Sequence, residues 1–191
     1  QDLSGFKRWI YDLEAAQNPG DLQLEWEGKI NGRSEESVIN TLIVHMNRYA
    51  KSYSKSAIHQ SEFSTQEDFI YLINLRAFGA MTKMELIRKN IHEKPVGMQI
   101  INRLIKQEWV EQRDSEGDKR SKIIAITAAG EQSLDQIMGK IKQATSIVTG
   151  NLSRSEKHQL IGLLQKLDHF HQPIYAQNID PEDLINLAVK K

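Results

Sequence analysis

The fold is decided by His92-Glu93-Lys94-Pro95-Val96-Gly97-Met98-Gln99-Ile100-Ile101-Asn102-Arg103-Leu104-Ile105-Lys106-Gln107. At 100° per residue this run has two unlike faces. Gly97, Ile100, Ile101, Leu104 and Ile105 share one side and are small or aliphatic. Pro95, Val96, Gln99, Asn102, Arg103 and Lys106 share the other, which carries no carboxylate. The run's single acid, Glu93, stays at its N-terminal edge. A helix that needs only a solvated back intersperses Glu with Lys and Arg and gains i,i+4 pairs. An acid-free flank above an apolar stripe is what a helix entering a nucleic-acid groove requires.

Outward from this helix, Trp109-Val110-Glu111-Gln112-Arg113 predicts a strand and Ser121-Lys122-Ile123-Ile124-Ala125-Ile126 its partner. The polar, Gly-containing Asp114–Arg120 segment between them suits a hairpin. Upstream, Thr82-Lys83-Met84-Glu85 has the spacing of a capping box and predicts a short first helix. Helix, helix and charged hairpin make a winged helix-turn-helix, with the second helix in a major groove and the hairpin at the neighbouring minor groove. The expected fold class is therefore mainly α with a small β-hairpin wing.

Each candidate residue has a chemical reason. Thr82, Lys83 and the first-turn amides suit a phosphate, while the box also simply starts the helix. Pro95 sits in a first turn, where its missing N–H costs little. Val96 is available to a thymine methyl and Gln99 to adenine. Asn102 and Arg103 read bases or clamp phosphate, Arg103 being the better phosphate ligand. Lys94, Lys119 and Lys122 add affinity through the backbone. Arg120 at the hairpin turn suits the negative minor groove. Gly97 allows either close approach to DNA or close packing between helices, and its place on the apolar side favours packing.

From about Glu62 to Gly130 the sequence resembles the MarR family of winged-helix transcriptional regulators. The resemblance is carried by Arg103-Leu104, by Val110 through Arg113, by Asp118-Lys119-Arg120, and by Ile126-Thr127-Ala128-Ala129-Gly130. It implies that Asp118 orients Arg120 and that long N- and C-terminal dimerisation helices flank the lobe. It also implies a small-molecule effector whose binding between dimer helices and DNA lobes changes DNA affinity. Two departures stand out. Glu108 occupies a position usually held by Gly, so a helix must end there without the residue that most easily turns left-handed. The run Glu93–Met98 replaces a Ser/Thr-rich opening, so base preferences do not carry over.

In the rest of the chain, Leu3, Phe6, Trp9, Ile10 and Leu13 predict an amphipathic helix over 3–16, stopped at Asn18-Pro19-Gly20-Asp21. Leu22, Leu24 and Trp26 alternate with polar residues and predict a short extended segment ending at Gly28 or Gly32. This extension, 1–33, either packs on the dimer helices or serves an effector or partner. One long helix is expected from Ser34 to about Gln60, with Arg48, Lys51 and Lys55 on its outer face, solvated or near DNA. Residues 34–61 are read as a dimerisation and scaffold helix and 62–127 as the DNA-binding lobe. Ser64-Thr65-Gln66-Glu67 is read as a capping box opening a helix that Gly79 ends. Residues 128–191 are read as C-terminal dimerisation helices and a tail: Ala128 to Gly150, a second helix capped at Ser153 and broken by Pro173, and a last short one from Asp180.

The 25 basic and 25 acidic residues leave no net charge, which counts against generic nucleic-acid binding. From Lys83 to Lys122 ten Lys/Arg face seven Asp/Glu, so useful affinity has to lean on base contacts or dimerisation. Cysteine is absent, which excludes disulfides, thiolate zinc sites and thiol redox switches. No apolar run approaches the roughly 18 residues of a membrane span, and Gln1-Asp2-Leu3-Ser4 does not read as a signal peptide. A cytoplasmic location and no membrane partner are expected. His169-x-His171 is the sole His pair with metal-like spacing, and no phosphate loop or nucleophile elbow is present. An enzyme, a cofactor and a metal are not expected.

The function expected is a sequence-specific transcriptional regulator, a homodimer binding double-stranded DNA at a pseudo-palindromic operator. Its recognition helices would enter successive major grooves about 34–36 Å apart. The alternative is a winged-helix protein–protein interaction module without DNA binding, which zero net charge favours. The first reading requires that the acid-free flank be left uncovered by its own chain.

Overall fold

The computed structural model describes residues 24–114 and 122–188, in two compact units, 1–46 and 47–191. In the first unit the Trp26 indole N–H donates to the Arg33 carbonyl (2.8 Å), and the Lys29 ammonium lies 4.6 Å from the Trp26 ring centroid. Arg33 Nη2 donates to Thr41 Oγ1 at 2.9 Å. A 3-10 turn, Lys29–Asn31, is bracketed by Gly28 and Gly32, both left-handed. Residues 24–26 of the expected extended segment form no strand, because the indole and guanidinium fold this stretch back on itself. The helix expected over 3–16 lies outside the described residues.

Helix α1, Glu35–Ala57, crosses from the first unit into the second, and Glu35 and Glu36 in its first turn complement the helix dipole. Its apolar stripe is largely exposed, with Ile39, Leu42, Ile43, Met46 and Tyr49 all open to solvent.

In the second unit, α2 (Gln66–Phe78), α3 (Lys83–Lys89), α4 (Lys94–Lys106) and α5 (Ala128–Thr149) enclose one core. Leu72, Leu86, Ile87, Ile101, Ile124 and Leu134 are fully buried in it. Phe63 lies tilted against Trp109 with ring centroids 4.5 Å apart, and both rings belong to this core. The sheet has three antiparallel strands, β1 (Met81–Thr82), β2 (Val110–Asp114) and β3 (Lys122–Ile126), in the order β1-β3-β2. Val110 pairs with Ile126 and Asp114 with Lys122, so the hairpin register is the one that buries Val110 and Ile124 on the core side. Strand β1 was not expected: two residues are too few for an alternation signal, and only pairing of Met81 with Ile124 makes them a strand.

Two expected boundaries shift. The N-cap of α2 is Thr65, paired with Asp68, instead of Ser64 with Glu67. Asp68 Oδ2 accepts from the backbone N–H of both Ser64 (3.0 Å) and Thr65 (2.9 Å), which draws the start of the helix one residue on. Helix α6, Arg154–Tyr175, opens with the Ser153–Glu156 box and runs through Pro173 instead of breaking there. A proline so close to the end removes one ladder bond, and the Ala176 N–H still closes on Gln172 O at 2.9 Å. A last helix, α7, spans Pro181–Ala188. No helix among the described residues is long and apolar enough to cross a membrane.

Candidate nucleic-acid interface

Helix α3 is started by Thr82. Its Oγ1 accepts from the Glu85 N–H (3.1 Å), and its own N–H donates to Glu85 Oε2 (2.7 Å). The Thr82 N–H, and after it the Thr82 side chain, hold the Glu85 carboxyl below its usual range. Lys83 stands half-buried in this first turn. The turn into α4 closes with Ile91 N–H on Arg88 O (3.0 Å) and His92 N–H on Ile87 O (3.2 Å). That pair of bonds is a Schellman motif, and it forces β-branched Ile91 to φ 53°, a region such residues seldom adopt.

Helix α4 begins at Lys94, two residues later than the periodicity predicts, with Glu93 as N-cap and Pro95 in the first turn. Gly97, Ile100, Ile101 and Leu104 are buried. A Cβ at Gly97 would lie 2.4 Å from Ile87 Cγ1, so this glycine lets α3 and α4 meet closely. The opposite flank is open: Lys94, Pro95, Val96, Gln99, Asn102 and Lys106 are exposed, Val96 at 44%. Among the described residues, none covers this flank.

Arg103 behaves differently from its neighbours on that flank. Its Nε and Nη2 donate to Asp68 Oδ1 at 2.8 and 2.5 Å, and Nη2 also reaches Thr65 Oγ1 at 3.3 Å. The Asp68 side chain is 1% exposed. Buried carboxylates require such a partner, and Arg103 supplies it across 35 residues of sequence. These bonds make Arg103 a tether that fixes α4 against the start of α2.

On the hairpin, Lys122 is exposed and ion-pairs with Asp114 across the β2–β3 register. Asp118, Lys119 and Arg120 lie outside the described residues.

Sequence reasoning passed over a second set of contacts around His92. The Tyr71 hydroxyl and His92 Nδ1 share a hydrogen bond at 2.9 Å, and the two rings stack with centroids 5.7 Å apart. Glu67 Oε2 is 3.7 Å from His92 Nε2. Burial, then the nearby Glu67 carboxylate, push the Tyr71 phenol well above its usual range. From α6, the Tyr175 hydroxyl donates to the His92 carbonyl at 2.7 Å. No local pattern signals this last bond, which joins residues 83 positions apart.

Residues 64–121, which hold the helix-turn-helix and the start of the hairpin, match the sequence model described as MarR family. The uncharacterized HTH-type transcriptional regulator YwoH of Bacillus subtilis is 32% identical over 110 residues, covering 55% of this chain and 78% of that protein. The chain belongs to the MarR family. The HTH-type transcriptional repressor NicR of Pseudomonas putida is 28% identical over 103 residues, covering 54% of this chain. That match spans 65% of NicR, a little under two thirds of its length. In fold, the chain is similar to a mutant of MarR from Escherichia coli solved in complex with operator DNA. The TM-score is 0.64 at 21% identity, over 75% of this chain and 99% of that one.

Two features of this MarR-family chain now have a physical account. Thr127 caps α5 by accepting from the Gly130 N–H (3.0 Å), and its hydroxyl donates to Glu108 O (2.7 Å). A Cβ at Gly130 would sit 2.3 Å from the Trp109 carbonyl oxygen, so only glycine fits that step. At the end of α4, Glu108 N–H bonds Ile105 O (2.9 Å) and Trp109 N–H bonds Leu104 O (3.1 Å). This is again a Schellman ending, and Glu108 takes the left-handed place at φ 59°.

Proposed function

We propose that this MarR-family chain is a sequence-specific, DNA-binding transcriptional regulator acting as a homodimer on a pseudo-palindromic operator. The observation that carries the proposal is the uncovered, acid-free flank of α4, held rigidly from behind by Gly97 on Ile87 and by Arg103 on Asp68. In this reading Val96, Gln99 and Asn102 face base edges, with Pro95 allowing close approach. Thr82, Lys83, Lys94 and Lys122 hold phosphates, and Lys119 and Arg120, oriented by Asp118, extend the wing.

Homodimerisation is supported by apolar surface that a single chain leaves open: Ile39, Leu42 and Ile43 on α1, and Leu163, Leu164 and Phe170 on α6. Exposed apolar helix faces of this kind mark interfaces. The reading includes a small-molecule effector acting through that dimer layer, a cytoplasmic location, where its DNA is, and binding without catalysis.

The test is selection of bound fragments from a random DNA pool, followed by titration of the selected duplex at several salt concentrations. A palindromic consensus is expected, with affinity falling linearly in log–log form as salt rises. Gln99→Ala should lose about 1–3 kcal/mol of discrimination at one base pair of each half-site. Equal losses for every sequence would make Gln99 a backbone contact. The balanced charge of the chain favours a second reading, a winged helix that binds protein. Absence of any salt-dependent retention of DNA would decide for it.

A further inference from the structure

Helix α6 is exposed along most of its length, and among its described residues only Ile174 is buried. Next to that one buried residue, Tyr175 places its hydroxyl on the carbonyl of His92, the residue just ahead of the α4 N-cap. Tyr71 and Glu67 of α2 meet the His92 imidazole. The turn before α4 is therefore gripped twice, by the ring through α2 and by the backbone through α6.

We infer that Tyr175 is a positioning residue for the recognition helix, pinning the N-terminal end of α4 to the C-terminal end of α6. The inference rests on the DNA-binding reading of α4 for its consequence, but the pin itself is a matter of this chain's own bonds. A backbone carbonyl cannot change its side chain, so whatever residue stands at position 92, the grip from α6 depends on the Tyr175 hydroxyl. The turn it holds is already strained at Ile91, φ 53°, and such a turn keeps its shape only while its surroundings over-determine it. Lys94 through Gln99 follow directly, and they are the residues proposed to meet DNA first. A shift of α6, whose exposed Leu163, Leu164 and Phe170 are the proposed dimer surface, would thus be felt at the base-reading end of α4. Tyr175 is the physical link by which the dimer layer sets the aim of the recognition helix.

The experiment compares the full chain with Tyr175→Phe, which keeps the ring and removes the hydroxyl. Binding to the selected operator and to a scrambled duplex is measured at one salt concentration, alongside amide exchange. Operator affinity is expected to fall roughly three- to tenfold, the worth of one hydrogen bond, with scrambled-duplex affinity unchanged. Non-specific binding rests on phosphates and does not need the helix aimed. Exchange at the His92 and Gly97 amides should quicken while Leu72 and Leu75, in α2, stay protected. Equal loss on both duplexes, or unchanged exchange at His92, overturns the pin. If the unmutated chain discriminates no sequence, the DNA-binding reading fails, and the exchange measurement still decides whether Tyr175 holds the turn.

Discussion

Helices α4 and α6 carry the same kind of apolar stripe and meet opposite fates. In α4, Ile100, Ile101 and Leu104 are at most 4% exposed. In α6, Leu160, Ile161, Leu163, Leu164, Leu167 and Phe170 are all exposed, Leu163 at 62%. Helical periodicity records that a face wants a partner; it does not record whether the partner is in the same chain. The lobe around α4 is a core that one chain completes. The stripe on α6 is left open by the described residues, as the proposed dimer requires.

Core truncation should separate the two regions most sharply. Leu104→Ala is expected to lower unfolding stability by about 2–5 kcal/mol in urea titrations, whatever the protein concentration. Leu163→Ala should change it by no more than about 0.5 kcal/mol at high dilution, and lower it only where dimers form. Equal losses for both variants at high dilution would break the comparison.

Next in size is the tether that lets α4 belong to the core. Arg103→Met leaves Asp68 buried without its cation and should cost about 2–3 kcal/mol of stability. The salt dependence of DNA binding should stay as it is; a slope smaller by about one would return Arg103 to the phosphate-contact role.

A smaller effect of opposite sign is expected where α4 ends. The left-handed conformation costs a side-chain-bearing residue about 1–2 kcal/mol, and glycine's extra freedom in the unfolded chain takes back about 0.4–1. Glu108→Gly should therefore stabilise the lobe by about 0.5 kcal/mol in thermal melts. A loss of stability would show that the Glu108 side chain makes a contact that outweighs its strained backbone.

The smallest effect is at the start of α3. The Thr82 N–H and hydroxyl lower the Glu85 pKa from its ordinary 4.5. A carboxyl lowered in the folded state adds stability above its unfolded pKa, and that stability fades as pH falls through the lower, folded value. Melts taken across this acid range should show a slightly shallower loss for Glu85→Gln than for the unmutated chain; identical slopes would mean the box contributes nothing.

Much of the lobe could be read locally because its signals are local. The Thr82–Glu85 box, the two-faced run at Lys94–Lys106 and the Thr127-x-x-Gly130 step each lie within one or two turns of chain. Gly97 could be assigned to packing from its place on the wheel, and the Cβ contact with Ile87 gives the reason. Glu108 could be recognised as standing where a left-handed residue is needed, and it takes that conformation. Distance in sequence hid one partner: among Gln99, Asn102 and Lys106 nothing marks Arg103 as different, and Asp68 holds it from 35 residues upstream. The shift of the α2 cap from Ser64 to Thr65 is local by contrast, because two overlapping boxes were on offer and the Asp68 carboxylate took both amides.

What the amino-acid order determined by itself is the helices from α1 to α7, the hairpin and the two-faced character of α4. Periodicity, caps and turn residues act over the few bonds that separate neighbours in a helix or hairpin. Which basic side chain is free, which stripe is buried and what grips the turn at His92 were decided only in three dimensions. Those outcomes depend on groups 35 to 83 residues apart meeting at hydrogen-bond distance, and nothing in the local spacing of either partner encodes the other.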